Sequence, residues 1–361
     1  MTTRGRLLLT GATGFIGSAV LRVLAERLNG AAYVPGCPDP GTPAAPARGL
    51  PHPQPVIPAP RAEARPPRPG HLTALVRQFP DPGSRGWQPG VEFCAGDLTD
   101  AASLRAACEG ADTLVHCASY VGGDAAACEA VNAQGTRDLL TAAERAGVRR
   151  VLYVSTTAVY GPGPHRGLGA EELPPAPTSP TSRSRLAAEE AVLAAGGTVL
   201  RAPFVLGPGD KWVVPALAEL LHRVPALPAE GRALLSFVAV DDLAALLAEL
   251  ALSPDDSTPG IQHAAHPDPV PLHEFAALLT RHLGLAAPTA SLTAEEYLDR
   301  VRDTPGRVTA HQARMLTEDR WYRTEVWQAA GTTPGPGTAV RLAEYAGWYR
   351  GVLTPPRHRV P

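Results

Sequence analysis

The stretch that decides the fold is RLLLTGATGFIG, residues 6–17, in which a short apolar segment runs into a glycine-rich turn. Apolar residues continue after the turn at helical spacing, namely Ile16, Val20, Val23, Leu24 and Leu28. Strand, glycine turn and amphipathic helix therefore follow one another in the order that a dinucleotide-binding site requires.

The three glycines of this turn have separate tasks in such a site. Gly11 allows the tight turn, Gly14 lets the backbone approach a pyrophosphate, and Gly17 lets the helix pack closely on the strand. The free N–H groups at the start of the helix would bind the phosphates. We therefore predict that the cofactor contacts Gly11, Thr13, Gly14, Phe15, Ile16 and Gly17.

Apolar strands alternate with helical segments over the next two hundred residues. Because these strands are apolar throughout, the pattern indicates a parallel sheet covered on both faces. The fold class is therefore α/β, a doubly wound Rossmann sheet. The predicted strands after the first are 71–76, 91–95, 113–117, 150–155 and 198–201, and the predicted later helices are 124–146 and 182–195.

A proline-rich insertion interrupts this pattern at residues 35–70, where 13 of the 36 residues are proline. Such a stretch neither pairs in a sheet nor forms a helix, so we expect a solvated loop or, alternatively, an ordered lid. We assign residues 1–205 to the NADP-binding domain. Residues 206–361 form a small, mainly helical region that caps the substrate, with residues from about 237 to 250 returning to the core.

Composition and charge exclude several classes of function. A net charge of −2 gives no electrostatic basis for binding nucleic acid or an anionic membrane surface. No run of 18 apolar residues is present, and because the first predicted strand begins at residue 6, we expect no signal peptide. The five cysteines lack metal-ligand spacing, so no metal is predicted. We expect a cytoplasmic protein, a monomer or a homodimer.

Seven motifs together resemble the extended and atypical short-chain dehydrogenase/reductase family, and the resemblance runs nearly end to end. It implies that Asp97 and Leu98 flank the adenine. The motifs are TGATGFIG (10–17), GDLTD (96–100), LVHCAS (114–119), VNAQGT (131–136), VSTTAVYG (154–161), LRAPFVLGPGD (200–210) and FVAVDDLA (237–244). Carried over in the same way, Cys117, Ala118 and Ser119 line the cofactor trough, and residues 203–205, with Pro203 and Val205, border the nicotinamide.

The choice between NAD and NADP depends on the end of the second strand. A carboxylate there would accept from a ribose 2′-hydroxyl, whereas an arginine accommodates a 2′-phosphate. The sequence has Arg77 at this point and no carboxylate before Asp81. Since the planar guanidinium suits a phosphate, we predict NADP(H) as the cofactor.

The catalytic positions depart from the pattern of the family. Its members carry Tyr-x-x-x-Lys on the helix after the fifth strand, and a Ser or Thr at the end of that strand. The resemblance places Thr181 at the tyrosine position, Arg185 at the lysine position and Thr156 at the hydroxyl position, with Ser155 beside it. Lys211 is the only lysine, which indicates a GC-rich genome and makes the exchange of lysine for arginine unremarkable.

The loss of the tyrosine is different, because an aliphatic hydroxyl is too weak an acid to replace a phenol. The proton for a reduced carbonyl must come from elsewhere. The candidates are a phenolic hydroxyl of the substrate itself, which we favour, Tyr120 after the fourth strand, and His165 in the glycine-rich loop after the fifth strand. Tyr160 is expected to pack in the core instead.

A reductase without this tyrosine resembles the tailoring ketoreductases of aromatic polyketide antibiotics, such as those that act on angucyclinones. The resemblance implies reduction of a ring ketone of a small polycyclic substrate by NADPH. Three alternatives stay open: a nucleotide-sugar epimerase or dehydratase, a non-catalytic NADP-binding regulator, and an ordinary dehydrogenase with a relocated tyrosine.

Overall fold

The computed structural model describes residues 5–29, 71–253 and 260–353, and the predicted insertion 35–70 lies outside these ranges. Its strands are β1 (Leu7–Thr10), β2 (Leu72–Val76), β3 (Glu92–Ala95), β4 (Thr113–His116), β5 (Arg150–Thr156), β6 (His165–Leu168), β7 (Thr198–Ala202), β8 (Phe204–Leu206), β9 (Ala226–Pro228), β10 (Leu234–Leu235), β11 (Phe237–Ala239), β12 (Gly260–His263), β13 (Val270–Pro271), β14 (Ala290–Leu292) and β15 (Arg320–Tyr322).

Helices cover the sheets and build about half of the described residues after position 180. None of them, over the described ranges, is both long and apolar enough to cross a bilayer. They are α1 (Phe15–Leu28), α2 (Ala101–Cys108), α3 (Ala125–Cys128), α4 (Gly135–Arg145), α5 (Pro180–Ala194), α6 (Val214–Arg223), α7 (Val240–Leu252), α8 (Leu272–Leu283), α9 (Ala294–Asp303), α10 (Ala310–Ala313), α11 (Val326–Ala329) and α12 (Thr338–Leu353).

The main sheet has seven strands in the order β12-β7-β5-β4-β1-β2-β3, and every pair in it is parallel. All residues of β1 and β2 are buried, as apolar strands covered on both faces must be. The strand order reverses between β1 and β4, and a sheet of this kind binds its ligands at that point. The doubly wound Rossmann fold is thereby confirmed.

Two hydrophobic cores lie on opposite faces of this sheet. Alternate strand residues, such as Leu9 and Val154, join α1 and α7 in one core. Their neighbours, such as Leu8 and Tyr153, join α2, α4 and α5 in the other. Further along the chain, β11 pairs with β8, and α7 packs on α1.

Three features differ from the sequence prediction. A seventh strand, β12, pairs with β7, and the short helix α2 follows its N-cap Asp100, whose side chain accepts from the N–H of Ala102 at 3.0 Å. The long helix expected at 124–146 is divided, since a π-helical turn at Glu129–Gln134 separates α3 from α4. Single-turn π segments are frequent at functional sites, and this one carries Asn132.

The region after residue 206 contains strands as well as the predicted helices. Four short strands form a second sheet in the order β13-β10-β15-β6, and β14 pairs with β9. Helices α6, α8 and α12 pack together around Phe237 and Phe275, whose ring centroids lie 4.3 Å apart. The two parts interlock, because β6 contributes to the second sheet while β12 belongs to the main one.

Candidate active site

The glycine turn leaves an open backbone cradle at the start of α1. Gly11 has φ +75°, and a Cβ on it would lie 2.5 Å from the amide nitrogen of Ala118. A Cβ on Gly17 would lie 2.1 Å from the carbonyl oxygen of Gly11. Gly14 is the N-cap of α1 and has no side-chain cap, so the first N–H groups of the helix stay available to an anion.

Two loops approach this turn from the sides. The segment after β2 covers Thr13, since a Cβ on Gly86 would lie 2.8 Å from the Thr13 methyl carbon. At Gly209, a Cβ would lie 3.0 Å from both the Arg85 Nη1 atom and the Phe15 ring. Arg85 therefore brings a positive charge beside the predicted phosphate site. No sequence signal marked this residue, because it lies in a loop without a motif.

The predicted adenine end lies at the carboxyl ends of β2 and β3. Arg77 is exposed there and has no hydrogen-bond or ion-pair partner in the part of the chain that the structure describes. Asp97 accepts from the Thr99 N–H and hydroxyl at 2.8 Å each, and the backbone bond and the nearby Arg77 charge help to lower the Asp97 pKa. Leu98 is 6% exposed, so its side chain packs in the core.

The predicted nicotinamide end is formed by the segments after β4 and β7. Cys117, Ala118 and Ser119 are half-buried immediately after β4. Pro203 lies between β7 and β8, whereas Val205 is 9% exposed and packs in the same core as Val154. Of the latter two, Pro203 is the more accessible to a ligand.

A buried chain of hydrogen bonds joins β1 to the π-helical turn. The His116 Nδ1 atom lies 2.6 Å from the Thr10 hydroxyl, and its Nε2 atom lies 3.0 Å from the Thr136 hydroxyl. The Thr136 hydroxyl donates to the carbonyl of Asn132 at 2.5 Å. Burial and the Arg185 charge lower the His116 pKa to about 3, so this imidazole is neutral.

Asn132 fixes the segment that follows β4. Its side-chain oxygen accepts from the Tyr120 N–H at 2.7 Å, and its amide nitrogen donates to the Tyr120 carbonyl at 2.9 Å. The same oxygen accepts from the Ser119 hydroxyl at 3.2 Å, and the same nitrogen donates to the Ser184 hydroxyl at 3.0 Å. The VNAQGT motif contained Asn132, but only its three-dimensional neighbours identify it as a positioning residue.

Arg185 is a buried cation that has no anionic partner among the residues that the structure describes. It is 9% exposed, donates from Nη1 to the Ser119 hydroxyl at 3.1 Å and from Nη2 to the Val154 carbonyl, and no partner for its Nε occurs among the described residues. Glu189, one turn further along α5, is engaged by Arg201. An unpaired buried charge is costly, so this guanidinium is suited to a ligand.

Thr181 is held by the loop that carries Tyr120. Its hydroxyl donates to the Gly122 carbonyl at 2.8 Å and accepts from the Gly122 N–H at 3.3 Å. The Cys128 sulfur lies 3.5 Å from the same hydroxyl. The single proton of this hydroxyl therefore binds the backbone, and Thr181 fastens the N-terminal turn of α5 to the segment after β4.

The two hydroxyls at the end of β5 point to different surroundings. Thr156 is half-buried and accepts from the Ala158 N–H at 3.1 Å, so its hydrogen can be donated to a ligand. Ser155 is 2% exposed and donates to Glu189, which also pairs with the buried Arg201 at 2.6 Å. Ser155 therefore belongs to a buried ionic network, which the sequence did not reveal.

His165 occupies the strand β6 and not the loop expected from the sequence. It is 2% exposed, and its Nδ1 lies 2.8 Å from the Tyr322 hydroxyl. Tyr160 is 1% exposed, and its hydroxyl lies 2.6 Å from the His263 Nε2. Burial lowers the pKa of both imidazoles to about 4. This aromatic cluster joins the two sheets.

A dinucleotide fits these surroundings on two counts. The glycine turn is a cradle that side chains would fill, and Arg185 presents a buried nitrogen that no described residue satisfies. Fold and site thus define the class as an extended short-chain dehydrogenase/reductase.

Residues 7–262 match the NAD dependent epimerase/dehydratase family, and the chain belongs to that family. It is 28% identical over 298 residues to the 3 beta-hydroxysteroid dehydrogenase/Delta 5-->4-isomerase of Mycobacterium tuberculosis, covering 76% of this chain and 68% of that protein. It is 30% identical over 210 residues to the 2-alkyl-3-oxoalkanoate reductase of Stenotrophomonas maltophilia, covering 54% and 64%.

Among solved structures, the dTDP-glucose 4,6-dehydratase DesIV from Streptomyces venezuelae has a TM-score of 0.66. Its identity is 23%, with 96% of this chain and 97% of that chain covered, so the likeness concerns the fold. The chain spans about half to two thirds of the length of the curated relatives that it matches.

Proposed function

We propose that this protein is an NADPH-dependent ketoreductase that reduces a ring ketone of an aromatic, angucyclinone-like polycyclic substrate, and that residue 181 is not its acid. The observation that carries the proposal is the pair of hydrogen bonds between the Thr181 hydroxyl and the backbone of Gly122. On the same helix, the Nε atom of the buried Arg185 has no hydrogen-bond partner among the described residues. The machinery for binding the cofactor is thus retained, while the usual proton donor is absent.

The cofactor would be held along the carboxyl ends of β1, β2 and β4. The N–H groups at the start of α1 would bind the pyrophosphate, and Arg185 would bind the hydroxyls of the nicotinamide ribose. A reduced nicotinamide bound in this way would supply the hydride. The exposed Arg77 supports a preference for NADPH, since no described residue competes for its guanidinium.

The character of the exposed side chains supports an apolar substrate. Tyr120 (36% exposed) and Val121 (48%) follow β4, and Trp212 (54%) lies after β8, on loops at the carboxyl ends of these strands. Flat aromatic surfaces are suited to fused rings. The names of two relatives, a steroid dehydrogenase and an oxoalkanoate reductase, agree with an apolar ketone or alcohol.

In this mechanism, the protein orients the ketone and stabilises the charge that develops on its oxygen. Thr156 would donate a hydrogen bond to that oxygen, because its own lone pair is used by Ala158 while its hydrogen is available. Arg185 would add a fixed positive charge nearby, held by Ser119 and Val154. The proton must come from a phenol, either that of the substrate, beside its carbonyl, or that of the protein.

The test is NADPH oxidation by the purified protein with two probes, α-tetralone and its peri-hydroxy derivative. The proposal expects oxidation with at least one of them and a weaker response with NADH. Tightly bound NAD that does not exchange, together with conversion of a nucleotide sugar, would favour the epimerase alternative. Binding of NADPH without turnover of any ketone would favour a non-catalytic regulator.

A further inference from the structure

We propose that Tyr120 supplies the proton in this reduction and so replaces the tyrosine that the chain lacks at position 181. The inference rests on the proposed function, and it decides between the two phenols that the mechanism leaves open. Three features of Tyr120 support this role: its exposure, the closeness of its hydroxyl to Gly122, to which Thr181 is bound, and the anchoring of its backbone.

Exposure separates Tyr120 from every other tyrosine in the described ranges. A proton donor must reach a ligand and then recover its proton, so its hydroxyl needs access to the site and to water. Tyr120 is 36% exposed. The other described tyrosines are at most 5% exposed, namely Tyr153, Tyr160, Tyr297, Tyr322, Tyr345 and Tyr349.

The phenol of Tyr120 lies beside the residue to which Thr181 is bound. A Cβ placed on Gly122 would lie 2.7 Å from the Tyr120 hydroxyl oxygen, so the ring folds back over this glycine. The Thr181 hydroxyl lies 2.8 Å from the carbonyl oxygen of the same glycine. A phenol from the segment after β4 and an aliphatic hydroxyl from α5 thus flank one backbone position.

The backbone of Tyr120 is fixed strongly enough to direct its ring. Asn132 bonds both the N–H and the carbonyl of Tyr120, at 2.7 and 2.9 Å. Ser119, the preceding residue, accepts from Arg185 at 3.1 Å. A donor carried by a loop can be positioned well only when a rigid element holds that loop, and here the π-helical turn and α5 both do so.

The proposed step balances without a further reactant. As a hydride transferred from a C–H bond of the reduced cofactor forms the new C–H bond at the carbonyl carbon, the O–H bond of Tyr120 would break and its proton would form the O–H bond of the product alcohol. The phenolate that remains on Tyr120 takes a proton from water, which the exposure of the side chain allows. The nicotinamide is oxidised and the ketone is reduced.

The first experiment compares wild type with Tyr120→Phe on α-tetralone and on its peri-hydroxy derivative. Because general acid catalysis contributes on the order of 10²- to 10⁴-fold, we expect kcat to fall by about that factor on both ketones. Fluorescence titration should give a dissociation constant for NADPH within about twofold of wild type, because the phenol does not bind the cofactor. Retention of kcat on the hydroxyketone would overturn the proposal in favour of the substrate's own phenol.

The second experiment displaces the phenol without removing it. In Gly122→Ala the new methyl group would lie 2.7 Å from the Tyr120 oxygen and force the ring away. Gly123→Ala is the matched control, because nothing lies within 4 Å of a Cβ there. We expect kcat on α-tetralone to fall by at least about tenfold in the first variant only, with NADPH binding unchanged in both. Equal kcat values in the two variants would count against Tyr120.

These outcomes separate the inference from the function on which it rests. If wild type oxidises no NADPH with either ketone, the proposed function fails, and Tyr120 cannot be the donor of a reaction that does not occur. If wild type is active and Tyr120→Phe and Gly122→Ala are equally active, the function stands and the inference fails.

Discussion

The Thr181 hydroxyl donates to the carbonyl oxygen of Gly122 at 2.8 Å and accepts from its N–H at 3.3 Å. The Thr181 side chain thereby satisfies both backbone hydrogen-bonding groups of Gly122. At the position where the family resemblance leads us to expect an acid, the structure has a hydroxyl that is bonded to the backbone of Gly122. This relationship explains how the chain tolerates threonine at 181, and it assigns the residue to positioning.

Cofactor preference is expected to depend on Arg77. Arg77→Glu would place a carboxylate where a 2′-phosphate is expected, so the dissociation constant for NADPH should rise at least tenfold, or about 1.4 kcal/mol. Binding of NADH should stay the same or improve. Fluorescence titration measures both, with Arg281→Glu on α8 as an exposed control. If both cofactors bind as they do to wild type, Arg77 does not contact the phosphate.

We expect Arg185 to strengthen cofactor binding without stabilising the folded protein. Arg185→Met removes a buried charge without an anionic partner, so Tm should stay within a few degrees of wild type or rise. NADPH binding should weaken at least tenfold, and Arg185→Lys should restore part of it. Calorimetry and fluorescence titration give the two quantities. A large drop in Tm with unchanged binding would show that Arg185 is structural.

Glu189 is expected to be a main determinant of stability in the sheet region. It pairs with Arg201 at 2.6 Å, and both side chains are at most 2% exposed. Glu189→Gln leaves the Arg201 charge buried and uncompensated, so the free energy of unfolding should fall by about 3–5 kcal/mol. The exposed neighbour provides the control, Glu190→Gln, which should be neutral. Equal urea-denaturation midpoints for Glu189→Gln and wild type would contradict this stabilising role of Glu189.

Acid should destabilise the protein before its carboxylates titrate. The pKa is lowered chiefly by burial, to about 3 in His116 and to about 4 in His165 and His263. The unfolded chain takes up these protons at about pH 6.5, so stability is full above that value and falls as pH drops. Each histidine contributes a loss of about 1.4 kcal/mol per pH unit.

Urea denaturation between about pH 7 and pH 5 measures this loss, since ordinary carboxyls titrate below that window. The carboxyls of Asp210 and Asp242, whose pKa values burial raises, act in the opposite direction. We expect a net loss across the window. A constant free energy of unfolding there would mean that the three imidazoles are not buried in solution.

The sequence predicted the parts of the fold that rest on local signals. The glycine turn, the apolar strands and their helical connections have the expected order, because each element carries its own periodicity. The strand β12 carried no such signal: it has only four residues, and pairing with β7 defines it. The π-helical turn could not be predicted from the sequence either, because its residues also suit an ordinary α-helix.

The residues of the candidate site also fall into two groups, those that sequence motifs identify and those that only the structure identifies. Gly11, Arg77 and Arg185 could be named from motifs and their spacing, and they remain predictions for cofactor contact. Asn132 and Gly122 acquire their roles only from neighbours that are distant in the chain, as in the bonds from Asn132 to Tyr120 and Ser184. Sequence alone places a hydroxyl at position 181, but it does not show where that hydroxyl points.

The most direct test of the account is the kcat of Thr181→Ala on α-tetralone, measured as NADPH oxidation beside wild type and Thr181→Ser. If Thr181 is a clamp and not an acid, Thr181→Ser should match wild type and Thr181→Ala should lose less than about tenfold, as expected for a loop that is less well held. A loss of about a thousandfold in Thr181→Ala would contradict it, because only direct participation in proton transfer costs that much.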